Sequence, residues 1–186
     1  PADNPLIVHI SRLEQVQALA IDIPHDFYSL ADAFWPGPLT MVLKKHHTIP
    51  DIVTGRLTTV AIRMPDHPLA IALIDQTGPL TAPSANPSGK PSPTRAEHVD
   101  YDYNGEIPVL DGGATEIGLE STVLDLSTGQ PEILRPGAVT SGMIEKIIKK
   151  NVHETGDTDF KSTKSPGTRY THYKPAASVH WLEKLP

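Results

Sequence analysis

Prolines 83, 87, 91 and 93 all fall inside the stretch Pro79 to Thr94, and no helix or paired strand can run through them. Each withholds a backbone donor and holds its own φ near that of an extended turn. Leu80 to Ala82 therefore read as the end of a buried strand, after which the chain stops building a core. Into the stiff loop that follows, the sequence crowds Ser84, Asn86, Ser88, Lys90 and Thr94. Short polar side chains on a stiffened backbone lose little entropy on binding. Asn86 suits a base or ribose edge, the serines suit phosphate or carboxylate oxygens, and Lys90 adds a positive charge. The alternative is a surface loop of turn formers.

A chain of 186 residues, 38% of them apolar, is long enough for one sizeable domain with a real core. It has no cysteine, which removes disulfides and thiolate metal sites and suits the cytosol. No apolar run approaches a membrane span and the N-terminus lacks a secretion signal, so a cytoplasmic protein without a membrane partner is expected. A net charge of -6 argues against a broad basic surface, leaving only local contacts for RNA. The nine histidines lack zinc-site spacing, and no metal site is expected from the protein's own side chains. There is no phosphate-binding P-loop, dinucleotide fingerprint or nucleophile elbow.

Along the chain, Leu6 to Ile10 is an apolar strand or loop. Ser11 with Glu14 has capping-box spacing for a helix carrying Leu13, Val16, Leu19 and Ala20. A second helix is expected from Asp26 to Phe34, ended by Trp35-Pro-Gly-Pro38, with a short apolar strand from Leu39 to Leu43. Thr58 to Pro65 reads as a β-branched strand. Arg63 near its end either reaches into a cleft or faces water from a sheet edge. Asp66 is placed to cap a helix over His67 to Gln76, whose apolar residues should pack on a sheet. Thr94 is placed to cap a short helix through Val99, and Ile107 to Leu110 reads as a strand closed by Asp111-Gly-Gly113.

Glu120 to Leu126 and Glu132 to Arg135 form a hairpin around Ser127-Thr-Gly-Gln130. After Arg135-Pro-Gly137 a helix is expected from Val139 to Lys150, with Gly137 giving an anion access to backbone N–H groups ahead of it. The hairpin requires antiparallel pairing and there is no strict βαβ rhythm, so the fold class is α/β with a sheet of mixed direction. Asn151 to Ser165 has the composition of a linker. Tyr170, His172 and Tyr173 follow, too irregular for a core strand, and Val179 to Leu182 begins an apolar strand that the sequence does not finish. The expected division is residues 1–150 as a catalytic domain, 151–177 as a linker and 178–186 as the start of a further domain.

What remains is a dispersed set of hydroxyl, amide and arginine groups at strand ends: Arg63, Ser84, Asn86, Ser121, Thr122 and Arg135. Such a set suits orienting a substrate and stabilising charge in phosphoryl or nucleotidyl transfer, which needs no protein nucleophile.

Six motifs occur in an order that is similar to the YrdC-like family: Asn4-Pro-Leu-Ile-Val-His-Ile10, Phe34-Trp-Pro-Gly-Pro-Leu-Thr40, Ala61-Ile-Arg-Met-Pro65, Pro83-Ser-Ala-Asn-Pro-Ser-Gly89, Ser121-Thr-Val123 and Arg135-Pro-Gly137. The tail Ser165 to Pro175 further resembles the linker of the family's long, two-domain synthase form. The resemblance implies a twisted mixed sheet flanked by helices around a concave cleft. It also implies synthesis of threonylcarbamoyl-AMP from L-threonine, bicarbonate and ATP with Mg2+, releasing pyrophosphate, with tRNA or tRNA-modification proteins as further partners.

By the same resemblance, Ser84, Asn86, Ser121 and Arg135 would hold ATP, and His9, Arg63 and Ser121 would hold threonine. Arg63 and Arg135 would act in catalysis, and Tyr170, His172 and Tyr173 would belong to a lid. The family's Lys-x-Arg motif would lie ahead of Pro1. The expectation is therefore that the sequence starts partway into a longer protein and turns over poorly alone. A nucleotide- or RNA-binding module without catalysis, and a carbamoyl-transfer domain of the hydrogenase-maturation kind, are the other classes considered.

Overall fold

The computed structural model describes residues 4–87 and 89–154. The expected lid residues Tyr170, His172 and Tyr173, the apolar run Val179 to Leu182, most of the expected linker, and Ser88 of the proline loop lie outside the described residues.

Short β-branched and apolar runs bounded by proline and glycine become the strands β1 (Ile7–His9), β2 (Ala20–Ile21), β3 (Leu39–Lys45), β4 (Thr59–Arg63), β5 (Leu80–Ala82), β6 (Thr122–Asp125), β7 (Glu132–Arg135) and β8 (His153–Glu154). They form one eight-stranded sheet in the order β5-β1-β4-β3-β6-β7-β8, with β2 paired to β3. Pairing is parallel for β1–β4, β3–β6 and β7–β8 and antiparallel elsewhere, so the expected mixed α/β sheet is what forms. The strand β8 falls inside the stretch read as linker: His153 and Glu154 pair with Glu132 and Ile133.

Alternation along the strands sorts the side chains onto two faces. One face carries Val8, Leu39, Met41, Leu43, Val60, Ile62, Leu124 and Ile133. It packs against α1 (His25–Phe34), through Phe27, Leu30 and Ala31, and α4 (Ser141–Ile148), through Ile144 and Ile148. The other face carries Ile7, Val42, Ala61, Val123 and Leu134. The residues that alternate in step with these, His9, Thr40, Arg63 and Ser121, are the polar ones.

Four local expectations are corrected. Ser11 and Glu14 do not cap an α-helix: Leu13–Ala18 is a 3-10 helix, and its N-terminal donors are met by Gln15, whose Oε1 accepts from the backbone N–H of Ser11 (2.9 Å) and Arg12 (3.1 Å). Leu19 and Ala20 then leave that helix for β2, where Ala20 pairs with Lys45.

The helix after β4 is α2 (Pro68–Thr77), begun at His67 with no side-chain cap, so Asp66 does not serve. Of its apolar residues only Ile74 is buried, while Leu69 and Leu73 are 40% and 46% exposed. This helix leads to β5, the last strand of the sheet on that side, so no sheet surface extends beyond it to cover.

Thr94 is not the N-cap of α3 (Ala96–Asp102), a place taken by Arg95. Ile107 to Leu110 forms no strand, and Ile107 and Leu110 are 44% and 68% exposed. Pro108 interrupts its donor row, and the stretch pairs with none of the eight strands.

Candidate functional site

The sheet brings one end of several strands together. His9 and Arg63 close the parallel strands β1 and β4 and stand opposite each other in register. Thr40 is the second residue of β3, Ser121 immediately precedes β6, and Arg135 ends β7 opposite Val123. The last placement depends on a β-bulge: Leu124 pairs with Ile133 and Val123 with Arg135, leaving Leu134 as the extra residue. A bulge sets two consecutive side chains toward one face. Leu134 therefore packs with Val123, while Arg135 reaches Ser121 on the same face.

Arg135 and Ser121 form one unit. The guanidinium donates to the Ser121 carbonyl from Nε (3.1 Å) and Nη2 (2.8 Å), and Nη2 also donates to Ser121 Oγ (3.1 Å). Its Nη1 lies 3.3 Å from the Glu120 carboxylate, and the Arg135 side chain is 12% exposed. Ser121 Oγ is 2.7 Å from Thr40 Oγ1.

Close backbone packing makes this possible at two glycines. A Cβ on Gly137 would lie 2.5 Å from the Thr122 backbone nitrogen and 2.7 Å from the Glu120 oxygen. Gly137 is thus required for close backbone contact, a role its place before α4 did not suggest. Thr122 locks the same junction, donating to Val139 O (2.8 Å) and accepting from Val139 N–H (3.1 Å). A Cβ on Gly37 would run into the Phe34 carbonyl oxygen, so glycine lets the Trp35-Pro-Gly-Pro38 turn bring its carbonyl to Arg63. Arg63 Nε donates to that Gly37 oxygen (3.0 Å).

Arg63 lies on β4, between β1 and β3, which removes the sheet-edge reading. It is partly buried and, among the described residues, makes no ion pair. Burial first, and then the like charge of Arg135, holds its pKa below the usual arginine range. A guanidinium keeps its proton even so. Among the described residues these two arginines face one carboxylate, leaving positive charge on a partly desolvated face, an arrangement that an anion would relieve.

His9 beside them is neutral at physiological pH. Burial, followed by the Arg63 charge, lowers its pKa from 6.5 to about 4, partly offset by the backbone of Ile7 and Leu80. Its Nδ1 is buried without a hydrogen-bond partner among the described residues. Such orphaned groups are few in native structures, and a ligand is one thing that satisfies them.

Ser84 and Asn86 are not brought into hydrogen bonds with this cluster. β5 runs antiparallel to β1, so the chain leaves β5 at the end of the sheet opposite His9. Ser84 is exposed. Asn86 Nδ2 folds the loop on itself, donating to the carbonyls of Lys90 (2.8 Å) and Pro87 (3.1 Å), and its Oδ1 is buried with no partner among the described residues. Lys90 pairs with Asp102 of α3 at 2.7 Å. Among the described residues no three His, Asp or Glu side chains form a group that could hold a metal ion. Sequence reasoning missed Thr40 and Glu120. Thr40 is the hydroxyl inside the otherwise apolar run of β3, which was the available signal.

Residues 1–137 match the Sua5/YciO/YrdC family model, described as "Telomere recombination", and residues 139–186 match a second, described as "Threonylcarbamoyl-AMP synthase, C-terminal domain". The chain is 50% identical to a threonylcarbamoyl-AMP synthase of Pyrococcus abyssi, over 98% of this chain and 55% of that protein. It is 49% identical to one of Bacillus subtilis, over 100% of this chain and 55% of that protein. The chain thus spans about half the length of these curated relatives. The crystal structure of P. abyssi Sua5 complexed with L-threonine superposes with a TM-score of 0.85 at 50% identity, covering 95% of this chain and 53% of that one.

Proposed function

The chain belongs to the Sua5/YciO/YrdC family, and on that premise we propose that it carries the nucleotidyl-transfer site of a threonylcarbamoyl-AMP synthase. The reaction joins L-threonine, bicarbonate and ATP into threonylcarbamoyl-AMP and releases pyrophosphate, supplying a modification of tRNA. The observation that carries this reading is the partly buried Arg63, without a carboxylate partner among the described residues, beside Arg135 on the face that also holds His9 and Ser121. Support also comes from the relatives named as this synthase and from the similar protein solved with L-threonine.

In this reading the threonine amine forms an N–C bond to the bicarbonate carbon while a C–O bond breaks, the lost oxygen leaving as water with the proton shed by nitrogen, and an oxygen of the resulting carbamate attacks the α-phosphorus of ATP. A P–O bond to the carbamate forms, the P–O bond to the β-phosphate breaks, and its electron pair leaves on pyrophosphate. Arg63 and Arg135 offset negative charge on the amino-acid carboxylate and on the reacting phosphate. Neutral His9 offers a hydrogen bond without adding a third positive charge. Ser121 orients an oxygen of the substrate. Ser84 and Asn86, which follow β5 at the other end of the sheet from His9, are assigned to the nucleotide on the family resemblance, with Asn86 Oδ1, unpartnered among the described residues, as an acceptor for a base or ribose donor.

Mg2+ is assigned to the nucleotide phosphates, where it would offset their charge; among the described residues no cluster of His, Asp or Glu side chains is placed to hold it. Tyr170, His172 and Tyr173 are assigned to closure over the site, where excluding water would protect a labile mixed anhydride. No helix among the described residues is long and apolar enough to cross a membrane, and the site needs none. The carbamoyl-transfer alternative is not favoured, since relatives at 49% and 50% identity carry the synthase name.

The test is pyrophosphate release by the full polypeptide containing this chain. Release that requires both L-threonine and bicarbonate, and falls at least about a hundredfold in Arg63→Ala, is expected. Release independent of threonine would overturn the reading.

A further inference from the structure

Thr40 and Ser121 meet on the sheet face that carries the two arginines. Thr40 is completely buried and Ser121 is 3% exposed, yet the only hydrogen bond of the Thr40 hydroxyl among the described residues is the 2.7 Å contact to Ser121 Oγ. Ser121 Oγ in turn accepts from Arg135 Nη2. Two hydroxyls bring two protons, and their mutual contact uses one.

If Ser121 donated to Thr40, the proton left over would sit on Thr40, fully buried and facing no acceptor. If Thr40 donates, Ser121 Oγ accepts from Thr40 and from Arg135, its two lone pairs are filled, and its own proton points away from both. That second arrangement also turns the positive end of the Ser121 dipole away from the guanidinium. The remaining Ser121 proton is then left for a further acceptor, and the charges of Arg63 and Arg135 favour an anionic one.

We propose that Thr40 is a positioning residue: it donates to Ser121 Oγ and so turns the Ser121 hydroxyl proton toward an anionic oxygen, carboxylate or phosphate, bound beside Arg63 and Arg135. This deepens the proposed function and rests on it for the identity of the ligand. The hydrogen-bond count itself rests only on the geometry of the pair.

Titration calorimetry of this chain with inorganic phosphate and, separately, with L-threonine tests it, using Thr40→Val, Thr40→Ser, Ser121→Ala and the double variant Thr40→Val with Ser121→Ala. Thermal melts check that each variant is folded. Thr40→Val should weaken binding about fivefold, the loss of one oriented neutral donor. Thr40→Ser, which keeps the hydroxyl, should restore most of it. The double variant should bind no worse than Ser121→Ala alone, because Thr40 acts only through Ser121. Thr40→Val binding as tightly as the wild type, additive losses in the double variant, or no rescue by a folded Thr40→Ser would each overturn the proposal, as would a wild-type chain that binds neither probe. Binding of phosphate without L-threonine, with the same pattern of variants, would support the role of Thr40 and contradict the threonine reading.

Discussion

His9 makes the folded protein sensitive to acid in a defined window. Its pKa falls from 6.5 to about 4 on folding, because burial first and the Arg63 charge second disfavour the imidazolium. Above pH 6.5 the imidazole is neutral in folded and unfolded chains alike, and nothing is lost. As pH falls below 6.5 the unfolded chain takes up a proton that the folded chain refuses, so stability declines until the folded pKa near 4 is reached. A shift of about 2.5 units corresponds to roughly 3 kcal/mol across the whole window, and to about 2 kcal/mol at pH 5.

Urea denaturation of the wild type and of His9→Gln at about pH 7 and about pH 5 isolates this contribution, since the carboxylates titrate equally in both proteins. The wild type should lose about 2 kcal/mol more than His9→Gln between those conditions. NMR should place the His9 titration below about pH 5, and Arg63→Gln should raise it only in part, because burial is the larger cause. Equal losses in the two proteins, or a His9 titration near the free value, would refute the reasoning.

The other expectations concern the frame around the site. Gly137→Ala forces a methyl against the Thr122 nitrogen and the Glu120 oxygen, and should cost about 3 kcal/mol or more in urea denaturation. Thr122→Val strips both hydrogen bonds from the buried Val139 backbone and should cost about 2–4 kcal/mol by the same measurement. Arg135→Lys keeps the charge but loses the fork to the Ser121 carbonyl, and calorimetry should show phosphate binding weakened about tenfold. Lys150→Ala removes an exposed partner of Asp26, and melting should move by no more than about 1 kcal/mol equivalent.

Most strands and the helices α1 and α4 were legible because each is a short run of one period closed by a local stop: Trp35-Pro-Gly-Pro38 after α1, Pro65 after β4, Ser127-Thr-Gly-Gln130 within the hairpin. What misled was apolar content without a neighbour to bury it. Ile107, Val109 and Leu110 read as a strand but pair with none, and α2 reads as a packed helix but buries only Ile74.

In the site, Arg63, Ser121 and Arg135 were legible as polar groups at strand ends. Their meeting was not, because it depends on the order of strands far apart in sequence and on one extra residue, Leu134, that turns Arg135 onto the face that carries Arg63 and Ser121. Thr40 was hidden inside an apolar strand, where one hydroxyl carries no periodic signal. Gly137 was read as an anion turn, since a sequence does not reveal that another backbone lies 2.5 Å from where its Cβ would be.

The measurement that bears most directly on the central claim is calorimetric titration of this chain with L-threonine and then with ATP and Mg2+, with L-serine and GTP as controls. The account expects L-threonine and ATP to bind in preference to their controls, and Arg63→Ala to abolish the threonine heat in a folded protein. Equal binding of serine and threonine, or threonine binding untouched by Arg63→Ala, would contradict it.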